Sequence, residues 1–236
     1  MAAITTQAPH RAAEPAILYF GTPVVLVSTT NEDGTFNLAP ISSAFWLGWR
    51  CMLGFGAASK TPQNMLRTGE CVLNLPSAEQ VGAVDRIAGL TGSNPVPPRK
   101  ARRGYRFEPH KFEAAGLTPV AAETVSAPRA LECPVQLEAV VSGRHDMMSD
   151  DEAMRGNFVA LEVRITRVHV HPDILMEGHE NRVDPDKWRP LIMSFQKFYG
   201  LTPRQVHESR LSEIPEQLYL TPDVARARAE AALAGE

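Results

Sequence analysis

Residues 24 to 64 read VVLVSTTNEDGTFNLAPISSAFWLGWRCMLGFGAASKTPQN, and the alternation within them decides the fold. Val24 to Thr30 is dense in valine and β-branched residues, which favours a strand covered on both faces. Asp33-Gly34 supplies the positive φ of a hairpin turn, and Thr35 to Ile41 returns as a second strand. Pro40 lacks an N–H, so this strand belongs at a sheet edge or breaks there. In the third run, Arg50 to Ala57, side chains Cys51, Leu53 and Phe55 share one face while Met52, Gly54 and Gly56 share the other. That second face carries bare backbone at its two glycines.

Outward from this stretch the antiparallel pattern continues. Glu70 to Leu75 is a fourth strand. Ser77 and Gln80 have the spacing of a capping box ahead of Val81, Val84, Ile87 and Ala88, which predicts an amphipathic helix ending near Gly89 or Gly92. Residues 93–107, SNPVPPRKARRGYRF, form a Pro-rich basic loop, and EPHKFEAAG is a brief helical turn closed by Gly116. Val135, Leu137, Ala139 and Val141 alternate, as do Val159, Leu161, Val163 and Ile165. The apolar phase changes parity between Ile165 and Val168, which predicts a bulge near Thr166 or Arg167. The Ala-rich tail from Thr221 onward reads as a terminal helix. Hairpins with few helices predict a mainly β fold, a barrel with helices packed outside, rather than a βαβ dinucleotide fold.

Composition narrows the function. At 236 residues and 44% hydrophobic, one domain can bury a full core. A net charge of -3 provides no global positive field for nucleic acid or anionic membrane, so a small or neutral partner is expected. Cys51, Cys71 and Cys133 are odd in number and far apart, which suits buried thiols rather than a disulfide framework or a CxxC site. The first residues lack a basic n-region leading into an apolar core, and no window approaches the roughly 18 apolar residues of a spanning helix, so a cytoplasmic protein is expected.

Two clusters could carry chemistry. Thr61 sits where an N-cap belongs, Pro62 at the first helical position and Gly69 just past the last turn. A helix start offers unpaired N–H groups, and Ser59, Lys60, Thr61 and Asn64 add hydroxyls, an ammonium and an amide, a set that suits a phosphate. A plain capped helix with a surface lysine explains the same residues. The second strand, NLAPISSAFW, brings main-chain groups around Pro40, hydroxyls at Ser42 and Ser43, and then Phe45 and Trp46. Such a mixture suits a planar heteroaromatic with polar edges, or an irregular strand with ordinary core aromatics.

Together, the DG hairpin, the NLAPISS strand, the SKTPQN turn and the VLNLP strand resemble the flavin reductase-like family, the FMN-binding split β-barrel. HKFEAAGLTP, ALECPVQLEAVV, FVALEVRITRVHVHPDIL and RPLIMSFQKFYGL are similar to later family segments, so the resemblance runs from about Ile17 to Leu201. It implies an antiparallel, Greek-key-like split barrel over residues 17–201, between an N-terminal arm (1–16) and a C-terminal helical extension (202–236). It also implies FMN, with FAD as the alternative flavin, and a homodimer with the flavin near the interface. By similarity Asn37, Ala39, Pro40, Ile41, Ser42, Ser43, Ala44 and Phe45 line the isoalloxazine and ribityl chain, and Ser59, Lys60, Thr61 and Asn64 hold the phosphate. The implied activity is hydride transfer from NAD(P)H to flavin, whose reduced form serves an acceptor enzyme such as a monooxygenase. A non-catalytic electron carrier, or an FMN enzyme acting directly on a small organic substrate, are the alternatives. The flavin carries the chemistry, so no catalytic side chain and no metal ligand is assigned.

The remaining polar and aromatic residues have ordinary structural explanations. Shorter family members carry Gly-Asp-His near the nicotinamide, whereas here Arg144 precedes His145 and an acidic loop follows, so His145 reads as a loop residue. His169 and His171 alternate on a strand without third and fourth metal ligands and read as solvent-facing or interface residues. Arg99, Lys100, Arg102 and Arg103 read as a solvated basic loop or an attractor of phosphates, and Phe198 and Tyr199 as core aromatics or a cover for the flavin.

Overall fold

The computed structural model describes residues 9–234. Half of the expected N-terminal arm, residues 1–8, and the last two residues of the expected terminal helix lie outside that range. In chain order the main strands are β1 (Phe20–Pro23), β2 (Val25–Thr30), β3 (Phe36–Ile41), β4 (Ala44–Leu47), β5 (Arg50–Gly56), β6 (Glu70–Leu75), β7 (Val135–Met147), β8 (Phe158–Val170), β9 (Leu191–Ser194) and β10 (Lys197–Gly200). The main helices are α1 (Lys60–Thr68), α2 (Val81–Ala88), α3 (Lys111–Ala115) and α4 (Pro222–Ala234).

Seven strands form one antiparallel sheet in the order β3-β2-β6-β7-β8-β5-β4, and β1, β9 and β10 form a smaller sheet. Strands β3 and β4 stand at opposite ends of the seven, yet only Ser42 and Ser43 separate them in the chain. So short a link spans roughly 10 Å at most. The sheet therefore curls until its two edges meet, which makes a barrel split along one seam. At the seam Ser43 extends the β4–β5 ladder by one rung: its carbonyl accepts from the Gly54 N–H at 2.8 Å, and its hydroxyl donates to the Gly54 carbonyl at 2.8 Å. A Cβ on Gly54 would stand 3.1 Å from Ser43 Cβ, so the close approach depends on glycine. The fold is thus mainly β, antiparallel, with peripheral helices.

Strand β2 and the residue before it show why that stretch is apolar on both sides. Val25 and Val27 enter the barrel core with Leu53, Leu73, Leu137 and Leu161, while Val24 and Leu26 meet Val84, Ile87 and Phe112 on the outer face. Pro40 lies on edge strand β3, where its missing N–H leaves no ladder bond broken. The bulge falls at Thr166: Glu138 pairs with Arg167 and Ala139 with Ile165, leaving Thr166 unmatched. A second irregularity at Ser142 has no signature in the apolar alternation. The capping box between Ser77 and Gln80 forms ahead of α2, and Cys51, Cys71 and Cys133 are buried free thiols.

Helix α1 departs from the expected start. Ser59, extended at φ -82° and ψ 147°, takes the N-cap position, so Thr61 and Pro62 lie inside the first turn. Pro62 is tolerated because N–H groups of a first turn have no intrahelical partner. Gly69 closes the helix in the left-handed region at φ 76°, as its position predicts. Past β10 the chain runs exposed over residues 201–220 until α4 docks, held by Arg50 Nε at 2.8 Å from Asp223 Oδ2 and by buried Val224 and Ala227.

Candidate functional site

A cleft of about 300 Å³ opens beside the seam, at the lower end of the range usual for small-molecule sites. Asn37, Ala39, Pro40 and Ile41 from β3, Ser42 and Ser43 from the link, and Ser59, Lys60 and Thr61 from the start of α1 all line it. Gly54 and Gly56 give it a floor of bare backbone. Three residues of the expected set stand outside the lining. Ala44 packs into the barrel core, Phe45 projects from edge strand β4 with 61% of its surface exposed, and buried Asn64 donates to Thr29 Oγ1 (3.0 Å) and Asn31 Oδ1 (2.8 Å).

The α1 end of the cleft is rich in uncommitted donors. Ser59 makes no side-chain cap bond, and the N–H groups of Lys60 and Thr61 belong to the unpaired first turn. Lys60 Nζ rests 3.2 Å from Glu32 Oε2, an exposed carboxylate that a better anion can displace. Asn37 Nδ2 donates to Thr61 Oγ1 (3.0 Å) and Thr29 Oγ1 (3.1 Å), but Asn37 Oδ1 is buried with no partner. Gly92 packs directly against that oxygen, and a Cβ there would approach it to 2.6 Å. A buried acceptor without a donor is costly, and a ligand hydroxyl or N–H would satisfy it.

A further part of the lining comes from the excursion between α2 and α3, and of these lining residues the sequence pattern marked only Lys100. Leu90, Thr91, Gly92, Lys100, Tyr105 and Lys111 contribute to it, and Tyr19 adds a further face. Here the basic loop divides. Lys100 turns inward, with Nζ 3.3 Å from Thr91 Oγ1 and 5.5 Å from the Tyr105 ring centroid, while Arg99 lies over Phe158 and Arg102 and Arg103 face solvent. Burial lowers the pKa of the Lys100 ammonium. Lys111 is only 2% exposed and makes no hydrogen bond or ion pair among the described residues. Burial, and then repulsion from Lys100, push it down to about 7, with Glu108 opposing. Its signal in the sequence was a lysine set beside the apolar positions Phe112 and Ala115 of a short helix.

The remaining candidates lie elsewhere. His145 is exposed on β7, opposite Ala160. Phe198 packs against the outer core and Tyr199 is half exposed, and neither lines the cleft. His169, expected to face solvent or an interface, turns Nε2 to within 2.7 Å of Oε1 of Glu138, a fully buried carboxylate. His169 lines the sheet side of a larger hollow, about 1040 Å³, beneath the C-terminal segment. The smaller cleft is the better candidate because its bare floor, orphaned acceptor and helix start converge on one volume. No cluster of metal-ligating side chains occurs among the described residues, and no described helix is long and apolar enough to cross a membrane.

Fold and site define a class: an antiparallel split-barrel protein with a ligand-sized cleft at its seam. The chain belongs to the flavin reductase-like family, whose domain model, the flavin reductase like domain, matches residues 17–202. It is 39% identical over 200 residues to the uncharacterized protein YdfE of Bacillus subtilis (strain 168), covering 85% of this chain and 93% of that protein. Flavoredoxin of Desulfovibrio vulgaris (Miyazaki F) superposes with a TM-score of 0.68 at 20% identity, over 88% of this chain and 100% of the other. Nitrilotriacetate monooxygenase component B from Bacillus cereus gives a TM-score of 0.64 at 20% identity, with the same coverage.

Proposed function

We propose that this protein is an FMN-dependent NAD(P)H:flavin oxidoreductase. One observation carries the reading: within a single cleft, a helix start bearing Ser59, Lys60 and Thr61 faces the same volume as a bare-backbone floor at Gly54 and Gly56 edged by Ser42 and Ser43. The first suits a phosphate and the second a flat ring. The orphaned Asn37 Oδ1 between them suits a hydroxyl of the connecting chain. When bound, the flavin supplies the redox chemistry, accepting a hydride from the nicotinamide and passing two electrons to an acceptor.

The chain's own residues then bind and orient. Lys60 leaves Glu32 for the phosphate, Ser42 offers its hydroxyl to the ring edge, and Ser43 holds the seam that keeps the floor in place. Asn64 acts indirectly, by fixing the hairpin that carries Asn37, and Ala44 and Phe45 complete the seam rather than the cleft. We read residues 17–201 as the flavin domain, preceded by an arm (1–16) and followed by a helical extension (202–236). The exposed apolar side chains Phe45 and Leu47 on an edge strand suit a second copy of the chain, giving a homodimer. Buried free thiols suit a reducing cytoplasm.

The test is the flavin content of the purified protein, followed by NAD(P)H consumption with added FMN. Flavin-dependent oxidation supports the reading. A protein that neither retains nor binds FMN overturns it. The likeness to a flavoredoxin favours one second reading, an electron carrier, for which bound FMN indifferent to NAD(P)H is the expected result. The likeness to a monooxygenase component favours an acceptor enzyme downstream of the reductase.

A further inference from the structure

Lys111 presents a problem in electrostatics. An ammonium buried without a counterion is expensive, and it is relieved either by losing its proton or by receiving an anion. The charged groups around it are few. Lys100 of the basic loop repels it and Glu108, in the turn before α3, attracts it from beyond ion-pair distance. His110 and Glu113, its near neighbours in sequence, are exposed. Arg86 of α2 is turned away, donating to the Ala115 carbonyl at the far end of α3. From β3 the cleft receives Asn37, which is uncharged, and across it Lys60 is held by Glu32. Among the described residues nothing neutralises Lys111, and its side chain contributes to the cleft.

We propose that Lys111 Nζ is the counter-charge for the flavin ring in its reduced, anionic state, and that it gains a proton when the ring is reduced. The inference rests on the FMN reading above. The phosphate already has its proposed place at Ser59 to Thr61 of α1, whereas Lys111 enters the same cleft from α3. The charge left for it to meet is the one that the ring edge acquires on reduction. Two electrons and one proton reach the ring from the reductant, and a second proton passes from water to Lys111 Nζ; reoxidation returns both protons. Poised near neutrality by burial and by Lys100, the amine is sensitive to one added negative charge.

The experiment compares wild type, Lys111→Met and Lys111→Arg. Affinity for oxidised FMN is read by fluorescence quenching, and the midpoint potential of the FMN-loaded protein by anaerobic dithionite titration at pH 7 and pH 9. Lys111→Met is expected to bind oxidised FMN within about threefold of wild type, and reduced FMN at least tenfold more weakly at pH 7, a fall of about 30 mV for a two-electron couple. The wild-type advantage shrinks at pH 9, where the proton is lost, whereas Lys111→Arg, which cannot deprotonate, keeps it at both values. An unchanged ratio of reduced to oxidised affinity in Lys111→Met overturns the proposal and leaves Lys111 a structural residue. Equal losses for oxidised and reduced FMN with riboflavin unaffected also overturn it, because they make Lys111 a phosphate ligand. A wild-type protein that binds no FMN defeats the flavin reading and this inference with it; binding with an unchanged ratio defeats the inference alone.

Discussion

Glu32 competes for Lys60 with the phosphate proposed at the start of α1, and that competition can be measured at single residues. Lys60→Ala removes a charge-assisted contact worth about 1.5 to 3 kcal/mol, so FMN is expected to bind on the order of tenfold to a hundredfold more weakly while riboflavin hardly changes. Titration of both flavins checks this, and equal losses would move the phosphate elsewhere. Glu32→Gln releases Lys60 from its partner and is expected to tighten FMN a few-fold at low salt, with the gain fading as salt rises. Lys111 gives the ligand-free protein a stability that depends on pH. Its folded pKa, about 7, lies below the unfolded value near 10.4, so between them the unfolded chain holds more protons. Stability of the ligand-free protein therefore rises from pH 7 toward 10, by at most about 1.4 kcal/mol per pH unit, and Lys111→Met removes this component. Chemical denaturation at several pH values measures it. The residues on β3, the link and α1 were legible because serines, a lysine and a proline interrupt an apolar pattern. Lys111 was not, since local spacing cannot tell an inward lysine from a solvated one on a five-residue helix.

Elements were legible wherever alternation is strict. The two-sided burial of β2 and the bulge at Thr166 follow from the order of apolar residues, and the edge position of β3 follows from Pro40. The irregularity at Ser142 escaped because it falls where β7 leaves the core and apolar contrast ends. The start of α1 was misplaced because Ser59 and Thr61 are both competent caps, and only the extended backbone at Ser59 separates them. Long-range pairing also hid Glu138. Its carboxylate accepts from the N–H groups of Glu123 (2.8 Å) and Thr124 (2.6 Å), the Thr124 hydroxyl (2.7 Å) and His169 Nε2, tying the loop before β7 to the sheet. Burial raises its pKa, but these hydrogen bonds, His169 foremost, outweigh burial and hold it at about 2. A folded pKa below the unfolded one gives stability that is present above about pH 5 and lost as pH falls toward 2, on the order of 2 to 3 kcal/mol. Glu138→Gln is expected to remove that acid-dependent step, as read from urea midpoints between pH 6 and 3.

For the whole molecule, antiparallel hairpins in the sequence indicated a barrel, but its seam could not be read, because it depends on strands that meet only in three dimensions. The same holds for the partner. Phe45 and Leu47 look like ordinary strand residues in the sequence, yet they stand 61% and 80% exposed on an edge strand beside the seam. A homodimer is expected in sedimentation, and Leu47→Asp should weaken it and loosen FMN together. A monomer that binds FMN at full affinity would separate the two properties. The order of strands also governs when a site can exist during synthesis. Every cleft residue falls between Tyr19 and Lys111, but β7 and β8 occupy the middle of the sheet and join β6 on one side to β5 on the other. A nascent chain that has emerged only to residue 131 carries all the cleft residues, but on two wings, β3-β2-β6 and β5-β4, that share no strand pairing. The hairpin through Val170 must be made before those wings share a sheet, so the proposed flavin site is expected to form only after the synthesis of residues that do not line it.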